Sequence, residues 1–288
     1  MGDIAVHRID EITLPADTGR WLLPDATPET VGGFDWLKPS FAGPDNELRL
    51  AVHTFAVEVA GLRVLVDTGI GNGKTRANAA WHQLDTDYLA RLAAAGFAPE
   101  DVDYVILTHL HADHVGWNTR RDADGTWRPT FPRARYVTAR AEDAYWSGVE
   151  LEESRRQMFA DSVEPVRAHG QLDPVDVAPE GTELLPGLML VPTPGHTPGQ
   201  VAVVLSSGGG RAVITGDCVH HPVQLADPAL CSCVDTDPAA AVATRTRLLN
   251  GIAGTDTLLL GTHFPAPTAG LVRREGSGFR LDPAPVRA

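Results

Sequence analysis

The stretch His109-Leu110-His111-Ala112-Asp113-His114 places four potential metal ligands within six consecutive residues. It follows an apolar run, residues 104–107, that predicts a buried strand. Because residues i and i+2 of a strand share a face, the first two histidines can point to one side as the chain leaves the sheet. Because adjacent side chains diverge, all four cannot easily converge on one ion. The stretch therefore predicts two metal ions, and it requires further ligands from elsewhere in the chain.

Length and composition predict one domain over residues 1–288. The chain has 43% hydrophobic residues, no internal repeat and no Pro-rich or Gly/Ser-rich spacer. Residues 15–48 are rich in Pro, Gly and Trp and show no helical or strand period. Since this stretch also carries many apolar side chains, we expect an irregular N-terminal loop that packs over the functional site.

Charge and cysteine usage limit the partners. The net charge is −13, from 24 basic and 37 acidic residues, which disfavours binding to nucleic acid phosphates.

The three cysteines, Cys218, Cys231 and Cys233, do not form a disulfide framework and predict a reduced, cytoplasmic protein. No signal peptide and no apolar run of roughly 20 residues is visible, so we expect no membrane segment. A homodimer is left open.

The periodicity of the chain predicts strand hairpins and separated helices, an arrangement typical of sheets covered by helices. Strands are predicted at residues 4–14, 49–59, 62–66, 103–107, 134–138, 183–190, 200–205, 211–215 and 256–260. Helices are predicted at residues 84–95, at 140–160 with a break near 147–148, and at 238–250 after Asp237-Pro238.

Three further ligands are predicted where apolar strands end. His196 lies in a stiff Pro/Gly loop, and Asp217 and His263 each follow a strand and a small residue. The combined set of imidazoles and carboxylates suits zinc, with iron or manganese as alternatives. Such paired ions lie roughly 3.5–4 Å apart in hydrolases. Asp67 also ends a strand and is expected to orient a ligand histidine; His220 and His221 remain candidates for lining the pocket.

This order of motifs resembles the metallo-β-lactamase fold superfamily. The family pattern is a strand ending in Asp, then His-x-His-x-Asp-His, then a distant His, Asp and His. It matches Asp67, residues 109–114, His196, Asp217 and His263, so the resemblance runs from about residue 50 to 265. It implies an α/β protein, an αβ/βα four-layer sandwich with the site at one sheet edge.

The resemblance also implies how the ligands divide between the two ions. One ion would be held by His109, His111 and His196, and the other by Asp113, His114 and His263, with Asp217 bridging. The sequences around His114 and His263 are similar to those of lactonase and organophosphate-hydrolase relatives. Antibiotic-degrading members commonly carry Cys near the place of Asp217, so β-lactamase activity is not expected.

The function expected from these residues is a dinuclear metal-dependent hydrolase. A bridging hydroxide would attack the ester or lactone bond of a small apolar substrate, with Asp113 and Asp217 as catalytic carboxylates. Trp117 and Phe264 are expected to cover that substrate, and Tyr145 is a candidate pocket tyrosine. Two alternatives stay open: a thioesterase or phosphotriesterase of the same fold, and a non-catalytic metal-binding or ligand-binding protein.

Overall fold

The computed structural model describes residues 2–284, which divide into two compact units. The first unit contains residues 3–12 and 52–177. The second unit contains residue 2, residues 13–51 and residues 178–284. The single domain expected from the sequence stays a prediction. Among residues 2–284, no helix is both long and apolar enough to cross a lipid bilayer.

The secondary structure follows the predicted order with several additions. The strands are β1 (Ala5–Thr13), β2 (Ala51–Val59), β3 (Leu62–Val66), β4 (Tyr104–Ile106), β5 (Thr119–Arg121), β6 (Trp127–Pro129), β7 (Arg135–Ala139), β8 (Leu172–Val175), β9 (Thr182–Leu185), β10 (Leu188–Pro192), β11 (Val201–Ser207), β12 (Gly210–Ile214), β13 (Thr257–Leu260), β14 (Ala269–Glu275) and β15 (Gly278–Pro283). The helices are α1 (Ala16–Leu22), α2 (Pro28–Gly32), α3 (Tyr88–Ala94), α4 (Arg140–Gly148), α5 (Glu153–Ser162), α6 (Glu164–Ala168), α7 (Val223–Ala226) and α8 (Pro238–Ile252).

The main sheet of the first unit has six strands in the order β1-β2-β3-β4-β7-β8. Strands β2 and β3 form the predicted antiparallel hairpin, while β3, β4, β7 and β8 run parallel to their neighbours. The register pairs Val66 with Ile106, so the segments after β3 and β4 leave the sheet at the same edge. This register places Asp67 beside the start of the 109–114 stretch.

Two aromatic residues that we expected at the substrate pocket, Trp117 and Tyr145, lie in or beside the core of the first unit. Trp117 is only 4% exposed, and its ring stacks on Tyr88 at a centroid distance of 5.2 Å. Tyr145 packs edge-on against Trp146, beside the same core. The expectation that Trp117 covers substrate is therefore wrong, because its large apolar ring contributes more when buried among other core side chains.

The main sheet of the second unit has seven strands in the order β15-β14-β13-β12-β11-β10-β9. Only β12 and β13 pair in parallel, and their register sets Ile214 opposite Leu260. Asp217 and His263, each three residues beyond these positions, therefore emerge at one sheet edge. This parallel pair is the local reason that two ligands distant in sequence come together.

Two regions of the second unit differ from the sequence expectation. The single strand predicted at 183–190 is a hairpin of β9 and β10, because Pro186-Gly187 forms the turn and Gly187 has φ +83°. Residues 15–48 are partly regular, since they contain α1, α2 and one 3-10 turn at Asp35–Leu37, and the expectation that they pack over the functional site stays a prediction. Such helices are too short to show a helical period in the sequence.

Candidate metal centre

The 109–114 stretch brings three imidazole rings together directly after β4. The ring of His109 lies 4.5 Å from that of His111 and 4.1 Å from that of His114, measured between centroids. His109 and His114 are fully buried, whereas His111 and Asp113 are partly exposed. An Asp113 carboxylate oxygen lies 3.8 Å from His114 Nε2. The strand-end cluster predicted from the sequence is thus present in the first unit.

Asp67 orients two of these rings, one by a direct hydrogen bond and the other through the hydroxyl of Thr108. His114 Nδ1 donates to Asp67 Oδ2 at 2.9 Å, and Thr108 donates to both oxygens through its amide and its hydroxyl. Because the Thr108 hydroxyl proton points to Asp67, the Thr108 oxygen accepts from His109 Nδ1, 3.1 Å away. Both rings therefore present Nε2 as the nitrogen that can bind a metal, the arrangement that metal-ligating histidines use. The contact predicted for Asp67 exists.

Glu11 supports this arrangement, and sequence reasoning missed it. Its buried carboxylate accepts from Ile70 N at 2.7 Å, from Gly71 N at 2.9 Å and from Trp117 Nε1 at 2.7 Å. At Gly69, where φ is +59°, a Cβ would lie 2.2 Å from Glu11 Oε2. These bonds fix the turn that carries Asp67. No local motif signals this role, because 56 residues separate the carboxylate from Asp67.

Glu142, on α4, fixes the backbone inside the histidine stretch and was also missed. Its Oε1 accepts from Leu110 N at 3.0 Å and from Trp146 Nε1 at 2.6 Å. The carboxylate is fully buried, so an unsatisfied partner here would be costly. Glu142 therefore holds the residue between His109 and His111 in one position.

The second unit collects the three later ligands around one carboxylate. Asp217 Oδ1 lies 3.2 Å from His263 Nε2, and Asp217 Oδ2 lies 3.5 Å from His196 Nε2. All three residues are at most 4% exposed. The two oxygens of Asp217 thus face two different imidazoles, which is the geometry that a carboxylate bridging two ions requires.

The Nδ1 atoms of His196 and His263, which point away from Asp217, are hydrogen-bonded to protein oxygens. His263 Nδ1 donates to Ala51 O at 3.0 Å, and His196 Nδ1 donates to Asp235 Oδ1 at 2.9 Å. Burial would raise the pKa of Asp235, but the hydrogen bond from His196, the nearby His220 and His196 rings and the Ser232 amide together lower that pKa. Asp235 therefore stays ionised and fixes the tautomer of His196. No sequence feature distinguishes Asp235 from an ordinary loop aspartate.

The loop that carries His196 is as stiff as its Pro and Gly content predicted. Gly195 has φ +139°, and a Cβ there would lie 2.2 Å from Ala241 N at the start of α8. Thr236 N donates to His196 O, and Asp237 N donates to Gly195 O, each at 2.9 Å. Only glycine fits this close approach. The backbone of His196 is consequently fixed on both sides.

The two histidines after Asp217 have different environments. His220 Nε2 lies 3.2 Å from Asp217 Oδ2, and the His220 ring lies parallel to that of His263 at 6.1 Å. His221 instead donates from Nε2 to Phe41 O at 2.8 Å and accepts from Val223 N at 3.0 Å through Nδ1. His220 therefore belongs to the ligand cluster, whereas His221 joins residues 15–48 to the chain before α7.

Acid is expected to weaken the fold through His221. Burial lowers the pKa of His221 to about 4, from 6.5 in the unfolded chain. Its stabilising contribution is therefore complete above pH 6.5 and is lost as pH falls towards 4, by roughly 3 kcal/mol. Urea unfolding of metal-free protein across this range should show the loss in the wild type and a smaller loss in His221→Gln. Equal pH slopes in the two proteins would contradict the assignment.

The donor set fits divalent metal ions of the zinc type. In the described residues, four of the five candidate histidines have Nδ1 held by a protein oxygen, so each offers Nε2 as a ligand atom. The remaining donors are carboxylates, and imidazole with carboxylate is a usual zinc ligand set. Buried oxygens that hold the far nitrogen of a ligand are typical of metal centres and have no comparable purpose in an apolar core.

Comparison with known proteins gives the family. A profile of the family described as "Metallo-beta-lactamase superfamily" matches residues 49–248. A probable metallo-hydrolase of Mycobacterium tuberculosis is 30% identical over 194 residues, which cover 60% of this chain and 58% of that protein. An N-acyl homoserine lactonase of a Bacillus species is 25% identical over 190 residues, covering 62% of this chain and 67% of the lactonase.

Solved structures give the same fold at low sequence identity. AidC, a dizinc quorum-quenching lactonase in complex with a product, has a TM-score of 0.80 and 22% identity, covering 100% of this chain and 96% of AidC. The hydrolase AbOPH has a TM-score of 0.78 and 23% identity, covering 100% of this chain and 97% of AbOPH. The fold class predicted from the sequence is confirmed. Because the family profile matches most of the chain, from the β2–β3 hairpin into α8, the protein belongs to the metallo-beta-lactamase superfamily.

Proposed function

We propose that this protein is a metallo-hydrolase that uses two divalent ions to cleave the ester or lactone bond of a small apolar substrate. The observation that carries the proposal is the placement of Asp217, whose two oxygens face His196 and His263 separately. Both imidazoles have Nδ1 held by a protein oxygen, so each directs Nε2 towards this carboxylate, as the ligands of a shared metal site do.

The proposed ligands are the seven residues of the sequence motif. One ion is assigned to His109, His111 and His196, the other to Asp113, His114 and His263, and Asp217 is assigned to both. Supporting this division, Asp217 presents Oδ2 to His196 and Oδ1 to His263. Zinc is the proposed metal, because nitrogen and carboxylate donors suit it, with iron and manganese as alternatives.

The residues of the chain have distinct tasks in such a reaction. When bound, two divalent ions supply a hydroxide nucleophile near neutral pH and polarise the carbonyl oxygen of the substrate. Asp67 and Asp235 keep the imidazoles of His114 and His196 in one tautomer and one orientation. Asp217 and Asp113 are the carboxylates that accept a proton during turnover; Asp113 is partly exposed and can pass that proton towards water.

A lactone or ester is the favoured substrate class. The Bacillus relative is named an N-acyl homoserine lactonase, and AidC is described with a lactonase product bound. In the second unit, a groove of about 700 Å³ is lined mainly by apolar residues, among them Leu14, Leu48 and Pro265. Pro265 follows His263 by two positions, so we assign this groove to the apolar part of the substrate.

The substrate class is tested with purified, metal-loaded protein on matched panels of lactones, aryl esters, thioesters and phosphotriesters. The proposal predicts the highest kcat/KM on a lactone or ester. A thioester or phosphotriester preference would favour that alternative of the same fold. No turnover of any class with metal bound would favour a non-catalytic metal-binding protein. The cytoplasmic location and the homodimer stay predictions.

His109→Ala is expected to remove bound metal and activity together. His109 is fully buried three residues after the end of β4, and its Nε2 is assigned to one ion. The control is His169→Ala, an exposed histidine on the surface of the first unit, which should keep both properties. Metal content and hydrolysis are measured on the same preparations. Full turnover by His109→Ala would refute the ligand assignment.

A further inference from the structure

We propose that Arg245 is a positioning residue for two of the assigned ligands, because it fixes the turn that carries Asp217 and faces the carboxylate that orients His196. This inference rests on the proposed function, which assigns both ligands to the metal centre. Arg245 lies on α8 in the same compact unit as the two ligands, and its side chain is fully buried. A guanidinium has only donors and no lone pair for a metal, so Arg245 acts through other residues.

The first contact of Arg245 is with the turn that carries Asp217. Arg245 Nε donates to Cys218 O at 2.9 Å, and Cys218 directly follows Asp217 in a 3-10 turn. On the other side of the ligand, Asp217 N donates to Gln200 Oε1 at 3.1 Å. Side chains from α8 and from the residue before β11 thus hold the main chain on both sides of the Asp217 carboxylate.

The second contact fixes the loop between α7 and α8. Arg245 Nη1 donates to Pro228 O at 2.8 Å and to Leu230 O at 2.5 Å. The same loop continues to Asp235, whose Oδ1 accepts from His196 Nδ1 at 2.9 Å. Through these main-chain oxygens, Arg245 holds the loop that brings the orienting carboxylate to His196.

The third nitrogen of the guanidinium faces Asp235. Arg245 Nη2 lies 4.0 Å from Asp235 Oδ2, which is too long for a hydrogen bond but within the range of an ion pair, and both side chains are 0% exposed. Within residues 2–284 this nitrogen has no hydrogen bond. Opposite charges attract more strongly in a dry interior than at a surface. Without the guanidinium, the buried carboxylate would lose this counter-charge, and we expect it to turn from His196 Nδ1 towards water.

Packing alone does not account for an arginine at this position. Burial lowers the pKa of Arg245, so its surroundings disfavour the charged form, and an apolar side chain would fill the space at lower cost. The contacts that offset this cost go to residues 216–218 and 228–235. These are the segments that carry Asp217 and orient His196, so one guanidinium joins two supports of the metal centre.

The first test compares Arg245→Met with Arg245→Lys in zinc-loaded protein. We expect Arg245→Met to bind two zinc ions but to lose them to a chelator about tenfold to a hundredfold faster than the wild type. Arg245→Lys keeps a positive charge and should recover part of this difference. On the best substrate, Arg245→Met should lower kcat with little change in KM, because a fully buried side chain does not contact the substrate.

Two variants on the same helix separate positioning from general stability. Leu249→Ala truncates a fully buried side chain of α8, so it should destabilise the fold but keep the wild-type rate of zinc loss. Arg247→Met changes an exposed arginine and should alter neither property. If Arg245→Met does not fold, Arg245→Lys takes its place and should lose zinc faster than Leu249→Ala at a temperature where both are folded. Equal rates in Leu249→Ala and the Arg245 variant would overturn the inference.

A double-mutant cycle tests the route through Asp235. Asp235→Asn alone is expected to speed zinc loss by about tenfold to a hundredfold. Because both substitutions act partly through one contact, the double variant should lose zinc more slowly than the product of the two single effects predicts. An effect equal to that product would overturn the inference, and so would a wild-type rate of zinc loss in Arg245→Met.

A further readout needs neither metal nor turnover. In the metal-free wild type, the His196 Nδ1 proton bonded to Asp235 should give a downfield ¹H signal that exchanges slowly with water, assigned by its absence in His196→Gln. We expect faster exchange in Arg245→Met, and equal exchange rates would overturn the inference. If the protein hydrolyses no substrate of the panel, the proposed function fails, while the zinc-loss rate and this signal still decide the role of Arg245.

Discussion

Asp217→Asn is expected to lower kcat/KM by about a thousandfold and to release bound metal. Each oxygen of Asp217 faces a different ligand histidine, at 3.2 Å for His263 and 3.5 Å for His196. An amide cannot offer two anionic oxygens, so the site loses the ligand assigned to both ions. Metal-ion catalysis supplies several kcal/mol of transition-state stabilisation, and about 4 kcal/mol corresponds to a thousandfold in rate.

Two control variants make the Asp217 result interpretable. Asp235→Asn removes only the group that orients His196, so its loss of metal affinity or activity should be about tenfold to a hundredfold. Asp256→Asn changes an exposed carboxylate just before β13 and should have no effect. Metal content and steady-state kinetics are measured on all three. An Asp217→Asn protein that keeps its metal and its kcat/KM would show that Asp217 is not a ligand.

Asp161→Asn is expected to cost about 3–5 kcal/mol of the free energy of unfolding. Asp161 is buried in α5, where it accepts two hydrogen bonds from Arg76, at 2.8 and 3.0 Å, and lies 3.5 Å from Lys74 Nζ. Lys74 Nζ also donates to Thr119 Oγ1 and lies 3.8 Å from the centre of the Trp127 ring. Removing the carboxylate charge leaves the buried Arg76 guanidinium without its counter-ion. It also removes the charge that raises the pKa of Lys74, which burial lowers to about 7.

Denaturant unfolding at fixed pH and fixed zinc concentration measures this effect. Glu153→Gln is the control, because its ion pair with Arg156 is exposed and should contribute at most about 1 kcal/mol. Lys74→Met should cost less than Asp161→Asn, since it leaves the Arg76–Asp161 pair intact. An Asp161→Asn protein as stable as Glu153→Gln would show that this cluster does not stabilise the fold.

The sequence predicted the parts of the site that are encoded locally. The 109–114 stretch, Asp217 and His263 each follow an apolar strand, and parallel pairing brings strand ends to one sheet edge, as the registers of β3 with β4 and β12 with β13 show. The start of α8 after Asp237-Pro238 was also predicted, and the Asp237 side chain caps the helix by accepting from Ala240 N at 3.0 Å.

The groups that orient the ligands could not be predicted, because they depend on contacts between distant segments. Glu11 and Asp235 act on residues 59 and 39 positions away, and no local pattern marks them. In the sequence, His220 and His221 were equivalent candidates for lining the pocket. In the structure, His220 lies beside Asp217, whereas His221 is hydrogen-bonded to Phe41 O. Trp117 was misplaced because an aromatic residue beside a ligand motif can face either a substrate or the core.

The number of metal ions per chain tests the central claim most directly. Purified protein is equilibrated with a modest excess of zinc, freed of unbound metal and analysed for zinc and protein in the same sample. Seven ligands with Asp217 shared between two ions predict a ratio of two zinc ions per chain. A ratio of one or zero, in folded protein, would contradict the dinuclear assignment on which the proposed hydrolase activity depends.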